Sequence, residues 1–265
     1  MSSLFVEKHL RKLQACNDTY AWEGKKIRDF AQSLLKRDLK RDGVNPQVVK
    51  IFGEIETFPE KPLSKPELRD FISGDHNLLQ KVVAIFAWGG MKVHHCASLL
   101  KTYHSDWERI ASKMASGQLS RFDAYEQFHQ ARLNGKLKGM GPAYFTKLIF
   151  FLEQSHTGYI MDQWTARSMN LLRASNENEI VLVKNYSKRG KDGSLPPLGY
   201  RVDPKKNDVN IYRAFCEDLE ALAEVINPEL PPIERNLETE MLIFSKGQNG
   251  KEERGDWRKY VIENG

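Results

Sequence analysis

From Asn77 to Trp88 the chain is apolar on nearly every side of a helix, with Leu78, Leu79, Val82, Val83, Ile85 and Phe86 leaving no broad polar face. Such a helix is stable in water only when other elements cover it, so the segment must be central and buried. Its neighbours in sequence have the right character to cover it. Between Ala21 and Gly43, apolar Ile27, Phe30, Leu34 and Leu35 recur at helical spacing among lysines and arginines, and Gly43 supplies a stop. Residues 44–63 carry Pro46, Pro59 and Pro62 and read as a connector, after which Ser64 caps a short helix through Phe71.

Gly89-Gly90 ends the central helix, and Val93, Cys96, Leu99, Leu100 and Tyr103 mark the next one. Ser105 opens a helix with Trp107, Ile110, Ala111 and Met114 on one face, closed by Gly117; Ser120 opens another, with Phe122, Tyr125 and Phe128 inward, running to Asn134-Gly135. No alternating segment interrupts this series, so the expected class is mainly α, a helical bundle. After Leu172 the texture changes. Glu179 to Tyr186 is β-like, 187–197 is rich in Gly, Lys and Ser, and Tyr200 to Val202 can return as a partner strand, which predicts a small hairpin or ordered insertion around 179–203. Helical spacing resumes from Val209 to Val225 and again around Leu237 to Phe244, with 246–256 a polar loop. Three stretches follow: an N-terminal helical segment and connector (1–63), a helical core (64–175), and a C-terminal part (176–265) whose short strands and helices pack back on the core.

Composition narrows the class of partner. A net charge of +5 helps attract a polyanion but is far from that of a basic tail. Cys16, Cys96 and Cys216 match no zinc or redox spacing, and His94-His95 on one helix would point about 100° apart without further ligands, so no metal or cofactor is expected. Met1 to Leu10 holds no apolar signal core and no apolar run can span a bilayer, which places the protein in the cytoplasm.

The most informative stretch is Leu137-Lys138-Gly139-Met140-Gly141-Pro142-Ala143, between the helix ending near Asn134 and a new one reaching about Gln154. Two helices joined by a Gly-x-Gly turn form a helix-hairpin-helix. Its glycines let backbone approach a phosphate, and the amides and positive dipole end of the second helix can hold it. Pro142 suits the first helical position, where its missing donor is not needed. Phe145, Leu148, Ile149 and Leu152 form the buried face, while Ala143 and Lys147, four apart, share another. Taken alone, the turn is equally an ordinary tight turn. One helix later come Tyr159-Ile160-Met161-Asp162-Gln163-Trp164 and a further helical stretch to Leu172.

Leu137-Lys-Gly-Met-Gly, followed one helix later by an apolar pair and an acid at the mouth of the next helix, resembles the helix-hairpin-helix DNA glycosylase superfamily, in particular its bacterial 8-oxoguanine-glycosylase-like branch. The resemblance covers residues 120–172 and is suggestive from about 64. It implies that Asp162 is the family's catalytic carboxylate. Ala143, nineteen residues earlier, occupies the position where some relatives carry a lysine that attacks the sugar. Without that lysine the resemblance implies a monofunctional enzyme, in which water captures the sugar of a damaged or hypermodified base in double-stranded DNA, oxidised guanine or phage-type glucosylated hydroxymethylcytosine. The relatives' four-cysteine cluster signature is absent. Trp164 stands where the oxoguanine branch often has a histidine beside the DNA backbone. A monomer is expected, acting in repair or in antiviral defence.

The chemistry suits these residues. Cleaving a glycosidic bond leaves positive charge on the sugar, which a carboxylate beneath C1′ opposes while orienting water. Asp162 is also what a plain N-cap looks like, and a helix N-terminus favours its negative charge. Lys147 lies about one turn, roughly 5.4 Å, beyond Ala143 and could contact the flipped base, serve as a displaced amine nucleophile, or be a solvated lysine. Trp88, Tyr144, Gln163 and Trp164 could contact or stack on an extruded base, with core packing the plainer role for Trp88. Lys136, Lys138 and the Gly139, Met140 and Gly141 backbone are the expected phosphate contacts. Gly89-Gly90 can admit a bulky base or simply end a helix. The rival reading is a non-catalytic hairpin module that only grips DNA.

Overall fold

The computed structural model describes residues 4–16, 24, 26–38, 55–101, 106–174, 180–186, 199–245 and 255–265. In chain order the helices are α1 (Glu7–Gln14), α2 (Ile27–Asp38), α3 (Lys65–Ser73), α4 (Leu78–Trp88), α5 (Val93–Leu100), α6 (Asp106–Ala115), α7 (Arg121–Leu133), α8 (Pro142–Leu152) and α9 (Gln163–Leu172). Strands β1 (Val183–Tyr186) and β2 (Gly199–Val202) follow, then α10 (Val209–Ile226), α11 (Pro232–Phe244) and α12 (Asp256–Asn264). Among the described residues the chain is mainly helical with one small antiparallel sheet, which is the class its periodicities indicate. It forms two compact units, Ala21–Gly158 and Met1–Tyr20 with Tyr159–Gly265.

In the first unit, α4 is the central helix. Every residue from Leu79 to Trp88 except Lys81 is buried, and α2, α3 and α8 pack around it. Its start is a capping box: Asn77 accepts from the Gln80 amide while Gln80 accepts from the Asn77 amide, both at 3.0 Å. Ser64 and Glu67 make the same box at α3, and the hydrogen bond from Lys61 holds the Glu67 carboxyl down at about 2, ahead of the bonds from Ser64. α8 is the second core helix, with α3, α4, α6 and α7 against it and Phe145, Leu148 and Ile149 fully buried.

In the second unit the central element is α9, which touches α1, β1, β2, α10, α11 and α12. β1 and β2 pair antiparallel with Val183 opposite Val202 and Tyr186 opposite Gly199. Residues 4–6 join by backbone bonds to the end of α9: Val6 donates to the Leu172 carbonyl and Ala174 to the Leu4 carbonyl.

Three elements depart from the sequence reading. α11 begins at Pro232, five residues before Leu237, because a proline is well placed in the first helical turn. α1 and α12 were not foreseen. Each buries few side chains, Leu10 and Leu13 in one, Trp257, Arg258 and Val261 in the other, and a stripe of two or three residues in a charged helix is too narrow to register as periodicity. The Gly43 stop, most of the 44–63 connector, Tyr103, Ser105 and the 187–197 stretch lie outside the described residues.

Candidate active site

The turn between α7 and α8 has the geometry of a helix-hairpin-helix. Gly139 has φ +82°, a left-handed backbone that side chains rarely adopt, and a Cβ placed on it would lie 2.8 Å from Cγ of His95. Two independent constraints therefore demand glycine there. The Met140 amide closes the turn on the Leu137 carbonyl (3.2 Å), and Arg132 donates to the same carbonyl (3.1 Å). Met140 itself points inward and is fully buried. Gly141 is the N-cap of α8 and, being glycine, offers the first amides of this helix no cap from its own side chain, unlike Ser64, Asn77, Ser120 and Asp162 at α3, α4, α7 and α9. Lys136 and Lys138 are exposed beside the turn. Lys136 is ion-paired with Asp106 at 2.7 Å, and its hydrogen bond is the main reason the Asp106 carboxyl is held below its usual range.

Lys147 is only 6% exposed. Its Nζ donates to the Ala143 carbonyl (2.8 Å) and lies 5.9 Å from the Tyr144 ring centroid. The stem runs over Gly89: a Cβ there would stand 2.6 Å from Cδ of Lys147. Gly89 has an ordinary φ of −71°, so space rather than conformation excludes a side chain. The room beside Gly89 is thus filled by the Lys147 stem, whereas a Cβ on Gly90, whose φ is +73°, would meet nothing within 4 Å. Gly89→Ala is expected to destabilise the protein by about 1–3 kcal/mol through overpacking. In a Lys147→Ala background the same change should cost well under half of that, which a double-mutant cycle by urea unfolding would read.

The rings proposed for stacking are placed differently from one another. Trp88 is 2% exposed and packs edge to face on Phe151 (5.2 Å), so its ring belongs to the core of this unit. Tyr144 is half-buried, with its edge toward Phe86.

Asp162, Gln163 and Trp164 lie in the other unit. Asp162 is 9% exposed and is the N-cap of α9: Oδ1 accepts from the Trp164 amide (2.7 Å) and the Thr165 amide (3.2 Å). Thr165 completes the box, its Oγ1 accepting from the Asp162 amide (3.0 Å) and donating to the Ile160 carbonyl (2.8 Å). Capping is therefore a role Asp162 has, and the bonds fix which way its carboxyl group faces. Trp164 is half-buried, with the Arg258 guanidinium 4.3 Å and that of Arg167 5.6 Å from its ring centroid. Two cations on one indole make it a cation–π platform before any base is considered. Gln163 is half-buried beside it.

Sequence reasoning passed over the residues that hold this corner. Thr165 was legible, as the polar residue three positions after an N-cap. Tyr212, Glu240 and Arg258 were not, because each is one member of a distant helix with no local signature.

No curated protein and no solved structure matches the chain. A family model described as "Putative 8-oxoguanine DNA glycosylase OGG-like protein" matches residues 65–244. The match is wider than the resemblance read from residues 120–172, taking in α10 and α11 as well as the hairpin and Asp162. A DNA-glycosylase type of function goes with it. Since the matched span covers well over half of the sequence and runs through the glycine turn, the capped acid and the helices that follow, the chain belongs to the OGG-like family of putative 8-oxoguanine DNA glycosylases.

Proposed function

We propose that this protein is a monofunctional DNA glycosylase that hydrolyses the bond between sugar and base at a damaged or hypermodified nucleotide extruded from double-stranded DNA. The observation that carries the reading is the fixed carboxylate of Asp162, bound through Oδ1 to two amides at the start of α9 in a member of a glycosylase family. As the sugar acquires oxocarbenium character, that charge opposes it, and the same carboxylate can orient the attacking water and take the proton it loses. Ala143 has no amine, and the Lys147 amine is bonded to a carbonyl of its own helix, so both support capture by water over capture by lysine. The glycosylase family to which the chain belongs weighs against the non-catalytic reading.

The uncapped start of α8, with Gly139, Gly141, the Met140 backbone, Lys136 and Lys138, is the proposed phosphate contact. If Lys136 reaches DNA there, Asp106 competes for it. Asp106→Asn should then tighten binding of an unmodified duplex about fivefold and steepen the salt dependence by about one phosphate contact. Fluorescence anisotropy at two salt concentrations reads both; unchanged affinity removes Lys136 from the interface.

Oxidised guanine, the base named in the description of the matching family, is the first substrate to test, and glucosylated hydroxymethylcytosine the second. Mass spectrometry of the solution after incubation with an oxoguanine duplex, or with glucosylated phage DNA, should find free modified base from one of them. The strands should stay intact until alkali is added. Strand breaks without alkali would refute the monofunctional mechanism, and no free base from either DNA would refute the reading.

A further inference from the structure

We infer that Tyr212 and Glu240 are positioning residues for Asp162, side chains on α10 and α11 that stand in for the sheet partner which the segment leading to the carboxylate does not have. The inference rests on the catalytic assignment of Asp162 made above.

Residues 159–162 form neither helix nor strand, yet Tyr159, Ile160 and Met161 are 1%, 5% and 0% exposed. Backbone groups so buried need partners, and in an ordinary buried extended segment a neighbouring strand supplies them. Here side chains do. The Tyr212 hydroxyl accepts from the Tyr159 amide (3.1 Å) and donates to the Tyr159 carbonyl (3.0 Å), so one phenol clasps both peptide groups of one residue. The Ile160 amide donates to Oε1 of Glu240 at 2.6 Å. Glu240 is 1% exposed, and a carboxyl group is costly at such a site unless it makes bonds of this kind. The Tyr159 ring is tied down in turn: its hydroxyl donates to Glu220 (3.1 Å) and accepts from Asn236 (2.8 Å). Thr165 secures the last step, through the Ile160 carbonyl and the Asp162 amide.

The consequence is a rigid approach to the acid. Each side-chain bond sets the height of the segment on α10 and α11, and Asp162 follows within two or three residues. A shift of about 1 Å at a catalytic group can cost about 100-fold in rate, so the clasp bears on chemistry through the backbone that it holds.

The test compares Asp162→Asn, Tyr212→Phe, Glu240→Met and Glu240→Gln in single-turnover base release, with duplex affinity measured alongside. Tyr212→Phe keeps the ring, which stacks on Phe215, and loses only the hydroxyl. We expect it, and Glu240→Met, to slow base release about 10- to 100-fold while affinity changes less than about twofold. Glu240→Gln keeps an acceptor for the Ile160 amide and should recover most of the rate. Tyr212→Phe should add nothing in an Asp162→Asn background, and amide exchange at Tyr159 and Ile160 should quicken in both slow variants. A slow Asp162→Asn beside a Tyr212→Phe of wild-type rate overturns the positioning role and leaves the catalytic assignment standing. An Asp162→Asn of wild-type rate overturns the assignment and this inference with it. Equal losses in Glu240→Gln and Glu240→Met, or an additive loss in the double variant, also overturn it.

Discussion

Asp162→Asn should lower the rate of base release by about 100- to 1000-fold, the size of effect seen when one preorganised electrostatic group is removed from a transition state. The choice of asparagine matters because Asp162 is demonstrably an N-cap, bonded to the Trp164 and Thr165 amides. Asparagine caps a helix about as well as aspartate, and its side-chain oxygen can accept the same two bonds. The cap survives and the charge does not. Unfolding by urea should therefore move by less than about 0.5 kcal/mol, where Asp162→Ala, which removes the cap as well, should lose about 1 kcal/mol. Base release measured under single turnover, beside the unfolding midpoint, separates the two roles. Retention of the wild-type rate in Asp162→Asn would leave Asp162 as a cap and nothing more.

The largest effect on stability should come from Trp257→Ala. The Trp257 ring is fully buried and stacks on Tyr260, and its Nε1 donates to Ser168 Oγ (3.0 Å), which itself donates to the Ile243 carbonyl (2.8 Å). That chain of contacts joins α12 to α9 and α11. Truncation removes the packing and leaves a cavity against Ser168, a loss of about 3–5 kcal/mol. In a protein of this size that is roughly 6–20 °C in Tm, well within the reach of scanning calorimetry. Because Asp162 caps the start of α9, base release at temperatures near the lowered Tm should fall with the folded fraction. A change under about 1 kcal/mol would mean that α12 is not seated on α9 as described.

These two residues also mark what could and could not be read without coordinates. Asp162 stood out because its surroundings in sequence are the signal: a glycine turn, an apolar helix, then an acid at a helix start. The turn was legible for the same reason, as Gly139 is required both by its φ of +82° and by the approach of His95, and a local backbone need writes itself into a local motif. The helices α2, α4 to α8 and α10 followed from apolar spacing, and α3 and α9 from the residues that cap them. α1 and α12 escaped because their buried stripes are narrow, and one of the α12 core residues is Arg258, whose guanidinium faces the Trp164 and Phe244 rings and the Phe244 and Ser245 carbonyls.

Gly89 and Lys147 show the limit from the other side. The glycine pair was visible, and its purpose was open between ending a helix and making room. Only the packed structure shows that the room at Gly89 is taken by the Lys147 stem while that at Gly90 is open.

The sequence by itself determined the helical class, the small hairpin of strands, the glycine turn and the acid at the helix start, because all of these are periodicities or motifs spanning a few residues. Only the tertiary structure decided which side chains hold that acid. Tyr212 and Glu240 meet the Tyr159–Asp162 segment across 53 and 80 residues of chain, and a hydrogen bond between positions so far apart leaves no pattern in either neighbourhood.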